Sequence, residues 1–386
     1  MRAVSATRSS HGSGRGPAVL LAATMLLAAC GGDATTAAPT GTTTTTGGTE
    51  PVVGRCGDPE RLSDSLNFYN WAEYIDEAVL KAFEEECGVA ITMDTYTSNE
   101  EAVAKIQAGD SGYSLLIPTD YAVQILISED LLRPLDMANI PNVANVDPNQ
   151  MGLYYDPDNT YSLPYQYSTT GLAYNASEFE TPPDSWAVLF DQNEHCDRSS
   201  LLEDQREVIG AALVYLGYDW NETDPAAHEE ALDLLLNVRE CVTGFDSSNY
   251  IGNLASGDIL LAESWGFAAG IARLDNPDVA YVIPKEGGTI WQDNFVIPAD
   301  APDPYTAEVF INFMLEPDIG ALITEYTLGF TPNLEVEPLL SEDYHTIIDE
   351  GGIAIDDEVR ERLTFQVRGE EHAIFAETWE SLVAAG

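Results

Sequence analysis

Three features of the sequence predict an α/β protein with two domains. Apolar strand patterns alternate with amphipathic helix patterns from residue 66 onward, the order that produces a sheet covered by helices. Polar and aromatic residues follow the first strands directly, at the sheet edge where open α/β folds bind ligands. The length of 386 residues is sufficient for two domains of ordinary size.

The first strand and helix are predicted between residues 66 and 88. Residues 66–74 (LNFYNWAEY) begin as an apolar strand, and Asp76 then opens a helix pattern that ends at Gly88. Trp71 and Tyr74 therefore lie where the first strand passes into the first helix, and we expect them to contribute to a binding surface. The alternative is that Trp71 only covers the edge of the sheet.

The following segments extend the pattern. Residues 89–93 alternate as a strand does, and Ser98 with Glu101 predicts a helix start. Residues 114–118 (SLLIP) predict a buried parallel strand that ends at Thr119, Asp120 and Tyr121, a second polar and aromatic group. Further segments predict a second domain with strands at 200–203, 259–263 and 280–284, helices at 205–216 and 225–240, and a returning strand at 289–298.

The N-terminal residues carry an export signal. Three arginines precede the apolar run 18–29, which is too short to span a membrane and predicts a signal peptide over residues 1–29. The run ends in Leu-Ala-Ala-Cys, which resembles a bacterial lipobox, so Cys30 is the predicted lipidation site. Residues 30–57 then comprise the lipidated cysteine and a flexible Thr/Gly linker. We expect a protein exported across the cytoplasmic membrane and lipid-anchored on its outer face, in the periplasm or at the cell surface.

The other cysteines predict two disulfides. Four remain after Cys30, an even number that suits an oxidising compartment. Cys56 precedes the first strand and Cys87 ends the helix that returns to the start of that strand, so these two are paired. Cys196 and Cys241 have the same arrangement in the second domain and form the other pair. A zinc site is the alternative, but no Cys-x-x-Cys spacing supports it, and neither a metal nor a cofactor is predicted.

The chain is strongly acidic. Sixteen basic and 65 acidic residues give a formal charge of −49, which excludes nucleic acid as a partner because phosphate binding needs a basic face. Such a field attracts cations. The acids are spread along the whole chain, however, so solubility in a salty or crowded setting is the alternative explanation.

From about residue 66 to its end, the chain resembles the spermidine/putrescine-binding proteins of bacterial polyamine ABC transporters. The matching segments are YNWxEY at 69–74, TSNE at 97–100, PTxY at 118–121, YSLPY at 161–165, DxREV at 204–208, PKEGG at 284–288, WxD at 291–293 and TPN at 331–333. The resemblance implies a type II periplasmic-binding-protein fold, with two α/β lobes joined by crossover hinge strands. The implied lobes are residues 58–168 plus 292–337 and residues 169–291 plus 338–386.

A cleft that binds a polyamine needs carboxylates to replace the water around each ammonium group, and aromatic faces to cover the methylenes. By resemblance, the residues that contact the ligand are Trp71, Tyr74, Thr119, Tyr121, Asp204, Glu207, Ser247, Trp265, Trp291, Asp293 and Gln366. Asp204 and Glu207 alternatively form a helix capping box, and Trp265 alternatively belongs to the core. Three candidate carboxylates match three ammonium groups, which slightly favours spermidine over putrescine.

The predicted protein is a monomeric lipoprotein that binds spermidine or putrescine between its lobes and delivers it to the permease subunits of an ABC transporter. Its contact with the membrane is the N-terminal lipid. One alternative is a binding protein of the same fold for another small solute, and another is a sensory or adhesive surface protein. A carboxylate-dependent hydrolase such as a glycosidase is the remaining alternative, but no nucleophile or histidine spacing supports catalysis.

Overall fold

The computed structural model describes residues 54–191, 195–369 and 372–385. The predicted signal peptide, Cys30 and nearly all of the predicted linker lie outside these ranges. Among the described helices, none combines the length and the apolar character needed to cross a bilayer.

The described residues form nine strands. They are β1 Ser65–Trp71, β2 Ala90–Tyr96, β3 Leu115–Leu116, β4 Ser162–Asn175, β5 Ser199–Ser200, β6 Leu261–Trp265, β7 Val279–Val282, β8 Gly288–Val296 and β9 Leu363–Thr364.

The same ranges contain thirteen α-helices and five short 3-10 helices. The α-helices are α1 Glu77–Cys87, α2 Asn99–Gln107, α3 Asp120–Ser128, α4 Ala187–Phe190, α5 Gln205–Tyr215, α6 Pro225–Arg239, α7 Tyr250–Ser256, α8 Gly266–Asp275, α9 Pro304–Met314, α10 Pro317–Thr327, α11 Glu342–Glu350, α12 Asp357–Arg360 and α13 Ala373–Ala384. The 3-10 helices are Met137–Asn139, Pro141–Asn145, Pro148–Gln150, Ala176–Glu178 and Glu337–Leu339.

The strands form one mixed sheet in the order β2-β1-β3-β8-β4-β6-β5, with β7 added to β4 and β9 added to β8. β1 pairs in parallel with β2 and β3, as the β-α-β-α-β pattern of the sequence predicts. β8 runs antiparallel to both β3 and β4. The first part of β4 pairs with β8, and its last residues pair with β6 and β7. The two long strands β4 and β8 therefore connect the two groups of shorter strands.

The buried apolar side chains of the described residues form three separate clusters. One large cluster draws on residues 172–283 and 328–382 and contains Trp186 and Trp220. Two further clusters draw on residues 66–165 and 295–323, with Phe68 and Phe83 packed against the ring of Phe310. The apolar core is therefore divided between these two parts of the chain.

Local capping accounts for the boundaries of the first helix. Asp76 accepts a hydrogen bond from the Ala78 N–H at the start of α1, and Gly88 ends that helix in the left-handed conformation with φ of 73°. Both predicted disulfides are confirmed. Cys56 is bonded to Cys87, and Cys196 is bonded to Cys241.

Several elements differ from the sequence prediction. The buried strand predicted at 114–118 has only two residues in β3, because the chain turns at Thr119 to begin α3. The strand predicted at 200–203 is limited to Ser199–Ser200 in β5. Helices α3, α7, α8, α11 and α12 were not predicted. α8 follows β6 without a linker, and Trp265 is both the last residue of the strand and the N-cap of the helix.

Candidate functional site

Asp293 is the centre of a buried hydrogen-bond network. Its side chain lies on β8 and is 4 % exposed. The Tyr74 hydroxyl donates to one carboxylate oxygen at 2.7 Å, and the Thr119 hydroxyl donates to the other at 2.7 Å. The Asn99 amide then donates to the oxygens of both Thr119 and Tyr121, at 3.0 and 2.9 Å. Four predicted site residues are therefore connected, and they come from three different stretches of the chain.

One face of β8 joins this network to a second carboxyl group. Thr289, Trp291 and Asp293 alternate along the strand, so their side chains share a face. The Thr289 hydroxyl donates to the Glu207 carboxylate at 3.0 Å. Trp291 therefore lies on β8 between Thr289, which contacts Glu207, and Asp293.

Aromatic rings gather around Phe267, the second residue of α8. Its ring centroid lies 5.9 Å from that of Trp265 in a stacked arrangement and 5.9 Å from that of Trp291 edge to face. The Tyr74 ring lies 6.2 Å away. Phe267 thus links three of the predicted aromatic residues. Trp265 and Phe267 are both partly exposed, and both also pack against the large apolar cluster of residues 172–382.

Asp204 and Glu207 have different roles at the start of α5. Asp204 is the N-cap, and its Oδ1 accepts from the backbone N–H groups of Arg206 and Glu207 at 2.8 and 3.1 Å. Glu207 does not complete a capping box, because its carboxylate accepts from Thr289 instead. The helix-capping alternative is therefore correct for Asp204 only.

Trp71, Ser247 and Gln366 lie at the edge of this arrangement. The Trp71 indole N–H donates to the Ile117 carbonyl at 2.9 Å. The Ser247 hydroxyl accepts from the Glu203 N–H at 2.8 Å, one residue before Asp204. The Gln366 carbonyl accepts from the Tyr154 hydroxyl at 2.6 Å. None of these hydrogen bonds goes to Glu207 or to a residue of the Asp293 network.

Burial raises the pKa of the carboxyl groups in this region. It raises the pKa of Asp293 to about 7, and of Glu207 to about 8 with a further contribution from the charge of Asp204. Burial also raises the pKa of Asp120 to about 7 and that of Glu263 well above its ordinary value. Glu263 Oε1 has no hydrogen-bond partner among the described residues. Anions held out of water in this way gain strongly from a bound cation.

Sequence reasoning missed three residues of this site, namely Asn99, Phe267 and Thr289. Thr289 had a local signal, because it lies two positions before Trp291 on an alternating strand. Phe267 had none, because the strand ends at Trp265 and Phe267 already belongs to α8. Asn99 carries no such signal, since its amide reaches Thr119 and Tyr121 only after α2 and α3 pack together.

The chemistry of the arrangement suits an organic cation. In the described part of the chain, no group of three or more His, Cys, Asp or Glu residues is placed to hold a metal ion. The carboxyl groups can replace the water around an ammonium group, and the rings offer faces that attract a cation and cover an alkyl chain.

Comparison with known proteins agrees with this fold. Residues 78–346 match the family model of bacterial extracellular solute-binding proteins. The spermidine/putrescine-binding periplasmic protein of Salmonella typhimurium is 36% identical over 284 residues, covering 73% of this chain and 81% of the relative.

Solved structures show the same architecture. The spermidine/putrescine ABC transporter substrate-binding protein of Streptococcus pneumoniae superposes with a TM-score of 0.72 and 30% identity, covering 84% of this chain and 98% of that one. A lipoprotein of Treponema pallidum superposes with a TM-score of 0.73 and 28% identity, covering 83% and 99%.

The fold therefore defines a two-lobe solute-binding protein, and the predicted α/β fold with crossover strands is confirmed. The chain belongs to the spermidine/putrescine-binding family of the bacterial extracellular solute-binding proteins. This membership confirms the resemblance seen in the sequence and identifies the chain as a binding protein rather than an enzyme.

Proposed function

We propose that the protein binds a polyamine between its two lobes and delivers it to an ABC permease. The observation that carries this proposal is the burial of the Asp293 and Glu207 carboxyl groups without a charged partner among the described residues. Both carboxyl groups are buried, and their described hydrogen-bond donors are hydroxyl groups. No ion pair among the described residues involves either one. An ammonium group would supply the missing charge.

The proposed lobes are residues 58–168 plus 292–337 and residues 169–291 plus 338–386. The separation of the buried clusters supports this division, although Leu328 and Val336 of the first lobe pack in the large cluster that otherwise belongs to the second lobe. The proposed cleft lies where Tyr74 and Thr119 of the first lobe approach Phe267 of the second lobe and Asp293 of β8. Closure of the lobes would remove water from the carboxylates, and the closed form would be the form that the permease accepts.

The proposed ligand contacts are the predicted site residues, with Phe267 added. Asp293 and Glu207 hold ammonium groups, and Trp265, Trp291 and Phe267 cover the alkyl chain. Tyr74 and Thr119 fix the carboxylate of Asp293, so that little reorganisation is needed when a ligand enters.

Calorimetric titration of the purified protein tests the binding function. Spermidine and putrescine are compared with glutamate and with a disaccharide under the same conditions. We expect submillimolar dissociation constants for at least one amine and no binding of glutamate or the disaccharide. Binding of the disaccharide alone would refute the proposal.

We also propose that Cys30 carries the lipid that holds the protein outside the cytoplasmic membrane. The lipobox-like sequence before Cys30 supports this, and the similar protein of Treponema pallidum is described as a lipoprotein. Metabolic labelling with a radioactive fatty acid tests it in the native host. The wild-type chain should be labelled and sediment with membranes, while Cys30→Ala should be unlabelled. Equal labelling of both chains contradicts the assignment.

A further inference from the structure

One end of the proposed site already contains a cation supplied by the chain. The Arg368 guanidinium carbon lies 4.0 Å from the centre of the Tyr121 ring, and Nη2 lies 3.0 Å from Glu100 Oε1. A cation over an aromatic face is the geometry that a bound ammonium group would adopt on Tyr121. Arg368 thus occupies the position over the Tyr121 ring that an ammonium group of a ligand would otherwise take.

The backbone around Arg368 is held firmly. The Asn221 side chain donates to the Phe365 carbonyl at 2.9 Å and accepts from the Val367 N–H at 3.0 Å. The Arg206 guanidinium donates to the Val367 carbonyl at 3.1 Å. Arg368 is therefore presented from a fixed segment, with its side chain only 19% exposed.

Charges at this end of the site largely cancel. Arg206 is buried, lies two residues after the Asp204 cap in α5 and lines the same cavity of about 190 Å³ as Arg368. The region around Asp204 thus contains two carboxylates, Asp204 and Glu100, and two guanidinium groups. In contrast, Glu207 and Asp293 have no described cationic partner within an ion-pair distance.

We propose that Arg368 determines the specificity of the site, by acting as a built-in third cation that leaves room for the two ammonium groups of a diamine. Arg368 has this role only if the chain binds polyamines as proposed above. A diamine places one ammonium group near Glu207 and one near Asp293. A triamine of spermidine length would bring its third charge towards Asp204, where Arg368 repels it. This opposes the slight preference for spermidine that three candidate carboxylates suggested.

A simple clamp is the competing explanation. Arg368 and Glu100 belong to different proposed lobes, so their ion pair could merely favour closure. Loss of a clamp weakens the binding of every ligand by the same factor, because closure is common to all of them. Loss of a specificity cation changes the ratio between ligands.

The test measures the dissociation constants of putrescine, cadaverine and spermidine for the wild type, Arg368→Gln and Glu100→Gln. We expect the wild type to bind putrescine more tightly than spermidine. Arg368→Gln should shift the ratio of the two constants towards spermidine by at least about tenfold, equivalent to about 1.4 kcal/mol. Glu100→Gln removes the same ion pair but keeps the cation, and its ratio should remain within about threefold of the wild type.

Three results would overturn the inference. One is a wild type that binds spermidine as tightly as putrescine, a measurement that needs no variant to fold. Another is an equal change for both ligands in Arg368→Gln, which would assign Arg368 to the clamp and leave the polyamine function intact. The third is a wild type that binds no amine at all, which removes the proposed function as well.

Discussion

Replacing Asp293 by Asn tests the centre of the proposed site. The change keeps the size of the side chain and removes its charge, while the Tyr74 and Thr119 hydroxyls can reorient to bond with the amide. At an effective dielectric constant of about 20, an ammonium group about 4 Å from the carboxylate gains about 4 kcal/mol. Leaving that ammonium buried without its partner costs about 2–5 kcal/mol. We therefore expect the dissociation constant to rise by roughly 30- to 5000-fold.

Titration calorimetry at pH 8 is the assay, because burial raises the pKa of Asp293 to about 7 and the carboxyl is then mostly ionised. Asp94→Asn is the matched control. Asp94 also accepts a tyrosine hydroxyl, from Tyr113 at 2.9 Å, but it is exposed on β2. The control corrects for the loss of one charge from a very acidic chain. The reasoning is refuted if Asp293→Asn is folded and binds within threefold of the control.

Three further predictions concern pH, aromatic packing and the disulfides. Burial raises the pKa of Glu207 to about 8 and of Asp293 to about 7, and a bound ammonium lowers both. Affinity should therefore rise between pH 6 and 8 with proton release, seen by calorimetry in buffers of different ionisation enthalpy; binding without proton release contradicts this. Since these folded-state pKa values exceed the unfolded values of about 4, the groups' contribution to ligand-free stability should fall as pH rises from about 4 to 8. A melting temperature of the ligand-free protein that rises as the pH is raised over this range would contradict this prediction. Phe267→Leu should weaken the binding free energy of the amine by about 0.5–2 kcal/mol, because an aromatic face of the site is lost. The control variant Phe179→Leu changes a ring that packs on Tyr174 and should leave the affinity unchanged. Equal affinities of the two variants would exclude Phe267 from the site. Reduction of the Cys56–Cys87 and Cys196–Cys241 bonds should lower stability by about 2–4 kcal/mol each in denaturant titrations, and an unchanged midpoint after verified reduction would count against it.

The residues that the sequence predicted for the site mostly do converge. Tyr74, Thr119, Tyr121 and Asp293 share one hydrogen-bond network, although 219 positions separate Tyr74 from Asp293. That convergence was predictable because strand ends carry ligands in α/β folds and because ordered motifs matched a known family. Phe267 was not predictable in the same way, since its contacts arise only when α8 packs beside β8 and the loop after β1.

The sequence alone determined the features that depend on neighbouring residues. These are the caps of α1, the alternation that sets Trp291 and Asp293 on one face, and the spacing that pairs the cysteines. Each follows from chemistry within a few residues or one strand–helix unit.

Only the tertiary structure decided which partner each charged side chain of the site contacts. It assigned Asp204 to the helix cap and Glu207 to Thr289, and it placed Arg368 over Tyr121, 247 positions earlier in the chain. Whether a carboxyl group is free to hold a cation depends on which distant donors and guanidinium groups reach it. That is settled by the packing of elements from both ends of the chain, because local sequence sets which groups exist and packing sets which of them meet.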